Sequence, residues 1–182
     1  MSVIGIEKTQ NKIRMAFDSQ STTGDSNRYH DTDQKGFAVD SFIIGATGNV
    51  ITKQYLKEFI SKRKNLKLDK CYDVCELIQE FFEHHKDNTR LIDKEYLGDV
   101  LIADSKKIFS IDLKFFSCRE INDYSFIGSG AGLAEGAYMM HKKLEEEAKF
   151  KSDALKNSIL IACEKDIYSG GPVNVIEMGL KF

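Results

Sequence analysis

The sequence predicts an α+β domain in which antiparallel sheets are covered by helices. Short strand candidates come in adjacent pairs joined by tight turns, as in hairpins. Between those pairs lie couples of helical segments, so the order is strands, two helices, strands, two helices, strand. A parallel sheet would instead alternate strand and helix one by one. At 182 residues the whole chain, 1–182, reads as one domain, long enough to bury a sizeable core.

The elements follow from local pattern. Ser2–Ile6 and Ile13–Phe17 are apolar strand candidates around the turn-forming Thr9-Gln10-Asn11. Residues 24–34 are rich in Asp, Ser and Asn and read as a loop. Phe37–Val39 and Phe42–Ala46 form a hairpin about Asp40-Ser41. From Val50 to about Lys64, Ile51, Tyr55, Leu56, Phe59 and Ile60 recur at helical spacing; Val74, Cys75, Ile78, Phe81 and Phe82 do so from Cys71 to His85. Asp99–Ala103 and Lys107–Ile111 make a second hairpin about Asp104-Ser105. Ser125–Ile127 is a short strand ending in Gly128-Ser129-Gly130. Helices are expected over Leu133 to Ala148 and from an N-capping Ser152 to Glu164. Val173–Met178 closes the chain as a strand.

Composition excludes several function classes. With 42% apolar and 30% charged residues the chain is globular and not disordered. A net charge of −2 gives no general attraction to nucleic acid or anionic lipid. No apolar run reaches the length of a membrane span, and the N-terminus carries no signal-peptide pattern, so a cytoplasmic location is expected. The cysteines, Cys71, Cys75, Cys118 and Cys163, form neither a disulfide framework nor a paired zinc pattern and are expected to be reduced. Cys71 and Cys75 with His84 and His85 read as a buried helix face, not a zinc site. Asp25, Asp31 and Asp33 lack the glycine and terminal glutamate of a calcium loop.

The chemistry points to the N-terminus. Ser2 follows Met1, and removal of the initiator would leave a hydroxyl and a free amine on one residue, a nucleophile with its own base. Downstream lie Ala16-Phe17-Asp18-Ser19-Gln20-Ser21-Thr22-Thr23-Gly24, Phe126-Ile127-Gly128-Ser129-Gly130 and Asp166-Ile167-Tyr168-Ser169-Gly170-Gly171. Together with Ser2-Val3-Ile4-Gly5-Ile6, these four blocks resemble, in order and near spacing, the proteasome-type N-terminal-nucleophile hydrolases. The similarity is greatest to the bacterial HslV peptidases.

That resemblance implies a four-layer αββα sandwich of two antiparallel sheets between helical layers. It implies a peptidase in which Ser2 is the nucleophile and its α-amine the base; the unperturbed amine pKa of about 7.7–8.0 suits proton transfer at neutral pH. Lys35 would supply an ammonium beside the amine, Asp18 would hold Lys35, and the Gly45 N–H would face the oxyanion. Ser129, Asp166 and Ser169 would form a hydrogen-bond network around the amine. Ser21, Thr22, Ile43 and Thr47 would line the substrate cleft. Backbone carbonyls of Cys163, Asp166 and Ser169 would hold a monovalent cation such as Na+, with no cofactor required.

The expected partners are a peptide or unfolded protein substrate, further copies of the chain in a ring, and an ATP-dependent unfoldase; nucleic acid and membrane are not expected. The chain departs from the pattern in having Ser2 where the family has Thr. The Asp18–Lys35 interval is one residue longer, and the Lys35–Gly45 interval is shorter, which predicts a tight hairpin at Asp40-Ser41. An alternative from another class is an inactive structural subunit of the same fold that retains Met1. A nucleotide-binding reading of Gly128-Ser129-Gly130-Ala131-Gly132 is weaker, because Leu133 replaces the third glycine and no Walker lysine follows.

Overall fold

Strand β1 (Val3–Lys8) shows why the chain folds in layers: Val3, Ile4 and Ile6 are all buried although successive side chains point to opposite faces. A strand apolar on both faces needs a packing partner on each. The computed structural model describes residues 2–22, 28–30, 35–63, 66–88, 97–148 and 152–180. Met1, Lys64 and the loop residues Asp25, Asp31 and Asp33 lie outside them.

The first sheet has the order β10-β1-β2-β11, with β2 (Lys12–Phe17), β10 (Tyr124–Gly128) and β11 (Asn174–Gly179), every pair antiparallel. The second has the order β5-β6-β7-β8-β9, also antiparallel: β5 (Gly36–Val39), β6 (Phe42–Gly48), β7 (Leu97–Ala103), β8 (Ile108–Asp112) and β9 (Ser117–Ile121). A short hairpin joins β3 (Gln20–Thr22) to β4 (Arg28–His30). Helices α1 (Val50–Ser61) and α2 (Cys71–His84) cover the second sheet, while α3 (Ala131–Ala148) and α4 (Ala154–Lys165) cover the first.

Three apolar clusters separate the four layers. Ile44, Leu56, Phe81, Val100, Ile102 and Phe109 fill the space under α1 and α2. Ile4, Ile6, Met15, Phe17, Leu101 and Ile108 lie between the sheets. Val3, Phe126, Tyr138, Leu155 and Ile159 fill the space under α3 and α4. The expected αββα sandwich is therefore the observed architecture.

Several local expectations are corrected. Strand β4 lies inside the stretch read as loop, and β9 was absent from the expected order. Helix α3 begins at Ala131, ahead of Leu133. The N-cap of α4 is Asp153, whose carboxylate accepts the Lys156 N–H, while the Ser152 N–H donates to Glu145. The Asp40-Ser41 hairpin is present, with Asp40 at φ +50°, a conformation that aspartate tolerates in tight turns.

Candidate active site

The N-terminal end of β1 lies where β2 ends, where β10 passes into α3, and where the turn after α4 returns. The antiparallel register sets this meeting: Val3 is opposite Gly128, and Ile4 is opposite Phe17. Asp18, directly after β2, therefore stands beside Ser2 and Val3.

Asp18 is the hub of this corner and is 0% exposed. One carboxylate oxygen accepts the Val3 N–H at 2.8 Å. The other accepts Lys35 Nζ at 2.7 Å, the Gly170 N–H at 3.0 Å and the Gln20 N–H at 3.2 Å. Lys35 is 1% exposed, so this ion pair is wholly buried. Burying two charges costs several kcal/mol per ion before their attraction offsets it, so stability alone is a poor reason for the pair.

A second hub lies across Ser2. Asp166 Oδ2 accepts the hydroxyls of Ser129 and Ser169, each at 2.6 Å, and Oδ1 accepts the Tyr168 N–H at 3.1 Å. Burial pushes the Asp166 carboxyl upward, but the Ser129 and Ser169 hydroxyls and the Tyr168 N–H outweigh it and hold the pKa below the ordinary range. Ser129 Oγ also reaches the Ser2 carbonyl oxygen at 3.4 Å. The turn is tied to the first hub by Gln20, whose side-chain amide donates to the Ile167 carbonyl at 3.2 Å.

Gly128 completes the corner, and it is absent from the site residues expected from the sequence. Its φ is +98°, and a Cβ there would overlap the Ser2 carbonyl oxygen. Only glycine lets β10 pass this close to Ser2, which is 2% exposed in the chain that begins at Met1.

The structure thus brings Ser2, Asp18, Lys35, Ser129, Asp166 and Ser169 together. The other expected residues lie differently. Ile43 is buried between the sheets. Gly45 is in mid-strand, where a Cβ would meet Met15 Sδ at 2.7 Å and Ile4 Cγ2 at 2.9 Å. Ala46 donates its N–H to the Lys35 carbonyl at 3.0 Å, so the alternation of an antiparallel strand sends the Gly45 N–H the other way, toward Leu101 of β7. The close approach that favours glycine at position 45 is to core side chains and not to a substrate. Thr47 Oγ1 accepts the Asp99 N–H at 2.8 Å and donates to the Asp99 carbonyl at 3.3 Å, closing the irregularity between Ala46 and Gly48. Ser21 and Thr22 have their backbones in β3, opposite Tyr29 and Arg28, and their side chains lie outside the described residues.

Cys163 is half-buried, and burial pushes its thiol up to about 12. All four cysteines are free thiols. Among the described residues, no cluster of three or more His, Cys, Asp or Glu side chains is placed to hold a metal, and no helix is long and apolar enough to cross a membrane.

No family model matches the chain, and no curated protein matches it in sequence. Solved structures do. Thiobacillus denitrificans BPH in complex with epoxomicin superposes with a TM-score of 0.82 at 22% identity, covering 98% of this chain and 99% of that one. A second structure of Thiobacillus denitrificans BPH gives 0.81 at 22% identity, with 98% of each chain covered. Eukaryotic HslV from Trypanosoma brucei gives 0.69 at 16% identity, covering 97% of this chain and 99% of that one. From its first strand to its last, the chain has the fold of the HslV-like, proteasome-type N-terminal-nucleophile hydrolases.

Proposed function

We propose that the chain is a peptidase that uses Ser2 as an N-terminal nucleophile once Met1 is removed. The observation that carries this reading is the buried Asp18–Lys35 pair, hydrogen-bonded to the backbone of the residue next to Ser2. A fully buried lysine held by one carboxylate at the first strand's entry is costly as scaffolding and useful as a fixed positive charge.

In this mechanism the free α-amine of Ser2 takes the proton from Oγ as the oxygen attacks a peptide carbonyl. The Lys35 ammonium stabilises the negative charge that develops on Oγ, and Asp18 fixes Lys35 in place. The tetrahedral oxyanion collapses and expels the amine half of the substrate, which leaves with the proton held by the α-amine. An ester on Ser2 remains. Water, deprotonated by the same α-amine, then releases the acid and restores Ser2. Ser129, Asp166 and Ser169 orient the amine and supply the acceptor that keeps the network in register.

The carbonyls of Cys163, Asp166 and Ser169 lie in and after the last turn of α4, where helix carbonyls lack intrahelical partners, and such oxygen donors suit a hard monovalent cation. A cation there would brace the turn that carries Asp166 and Ser169.

A cytoplasmic ring of identical chains, fed by an ATP-dependent unfoldase, is the assembly this reading implies. Leu133, Met140 and Leu144 support self-association, since they are exposed and form one stripe along α3 at intervals of seven and four. The burial of Ser2 favours a second reading, an inactive structural subunit that keeps Met1.

The test is covalent labelling of chain with a free Ser2 by a peptide epoxyketone or vinyl sulfone, with the adduct mapped by peptide mass. Modification at Ser2, absent from Ser2→Ala, is expected. Failure of several peptide sequences to label processed protein would overturn the peptidase reading.

A further inference from the structure

In a sheet sandwich the positions facing the other sheet are expected to be apolar. Along β7 and β8 this rule holds at one end, where Leu101, Ala103 and Ile108 are buried between the sheets. At the other end it fails. Asp99 is in register with Asp112, Leu101 with Ser110, Ser110 with Arg119 and Asp112 with Ser117, so alternation puts these polar residues on the inner face too.

They line a cavity of about 410 Å³ roofed by Phe126 and Ile127 of β10. Two carboxylates directly opposite each other are destabilising in a sheet, and folding gains nothing from the arrangement. Burial first, and then Asp112, push the Asp99 carboxyl up, with Arg119 opposing. Arg119 nevertheless makes no ion pair with either acid among the described residues. Asp112 commits only Oδ1, to the Lys114 and Phe115 N–H groups.

An independent observation points to a ligand. Ser110 is only 8% exposed, lines the cavity, and its hydroxyl has no hydrogen-bond partner among the described residues. That hydroxyl, able both to donate and to accept, is open to whatever fills the cavity.

Thr47 and Gly128 link the cavity wall at Asp99 to the corner at Ser2. Thr47, bonded to the backbone of Asp99, has its methyl 3.1 Å from where a Gly128 Cβ would stand, and Gly128 touches the Ser2 carbonyl.

The geometry points to a recognition subsite for a basic side chain, lysine or arginine, of a peptide, with the cation between Asp99 and Asp112 and the Ser110 hydroxyl completing its shell. Two carboxylates and one guanidinium leave one net negative charge, matched by a single cation, and the aliphatic stem lies against Ile127. As a substrate subsite it rests on the peptidase reading above; as a binding site it does not.

Two measurements separate the claims. Calorimetric titration of the full chain with N-acetyl-lysine methylamide should show binding at least about tenfold tighter than for the norleucine analogue, the value of one charge-assisted contact. Asp99→Asn and Ser110→Ala should each remove that difference, with thermal unfolding checking that both variants remain folded. Hydrolysis of a peptide series differing at one position (Lys, Arg, norleucine, Glu) should then favour the basic members by kcat/KM, and Asp99→Asn should reduce the basic-to-neutral ratio by about the same factor. Lysine-amide binding without cleavage of any peptide overturns the peptidase and keeps the cation site. Cleavage indifferent to charge, with equal binding of lysine and norleucine amides, overturns the cation site and keeps the peptidase. Equal binding with no cleavage overturns both.

Discussion

Replacing Asp18 with asparagine preserves shape and removes one charge from the corner on which the account depends. The wild-type carboxylate accepts from Val3 N, Lys35 Nζ, Gln20 N and Gly170 N. An amide has one acceptor oxygen, so either Val3 N or the cluster of three donors must face its NH2 group. Lys35 also loses the carboxylate that balances its charge. Neither side chain is solvent-exposed, so water does not soften the loss. Breaking a buried pair from one side costs about 3–5 kcal/mol, and the lower end applies because Lys35 keeps interactions besides Asp18. For a chain of this size about 3 kcal/mol corresponds to a Tm decrease of about 6–12 °C. Urea denaturation followed by circular dichroism gives the free energy. The double variant Asp18→Asn/Lys35→Met should lose less than Asp18→Asn alone, because it leaves no buried charge behind. If Asp18→Asn costs under about 1 kcal/mol, or if the double variant is no better than the single, the buried-pair argument is wrong.

Three further outcomes follow from the same geometry. Gly128→Ala forces a positive-φ residue against the Ser2 carbonyl and should cost at least about 2 kcal/mol in denaturation, whereas Gly132→Ala, with open space around it in α3, should gain about 0.5–1 kcal/mol. Asp166 has a folded-state pKa below its ordinary value, so its contribution is present above the usual carboxylate range and is lost as pH falls through the folded pKa; Asp166→Asn should destabilise at pH 7 and differ little from wild type in strong acid. Asp99 is shifted the other way, so the folded state is penalised where the carboxyl is charged: Asp99→Asn should raise Tm at pH 7, and the gain should shrink as pH drops through the raised pKa.

Much of this molecule can be read from residue pattern, and the exceptions have physical causes. Hairpins with apolar alternation, such as β5–β6 and β7–β8, announce themselves because one inner face must be apolar. Strand β9 does not, because it is a sheet edge whose Ser-Cys-Arg-Glu-Ile sequence is mostly solvated, and edge strands need no apolar stripe. Strand β4 is hidden for a similar reason, within a polar stretch, with only β3 to pair with.

At the site, Asp18, Ser129, Asp166 and Ser169 were legible because they sit in short blocks whose order resembles a known pattern. The surroundings of Ile43 and Gly45 were not legible, because a motif gives a residue's position along a strand but not the side to which its N–H or side chain turns. The polar inner face of Asp99, Ser110 and Asp112 was invisible for a related reason. A period of two shows that a strand has two faces, but only the stacking of the sheets says which one is inside.

The central claim is that Ser2 becomes the N-terminus, and it is tested most directly by the intact mass of the protein isolated from its native host. The account predicts a chain lacking Met1, with Ser2 at the N-terminus in peptide sequencing. A population that uniformly retains Met1 would contradict it, because an amide-blocked Ser2 has no base with which to become a nucleophile.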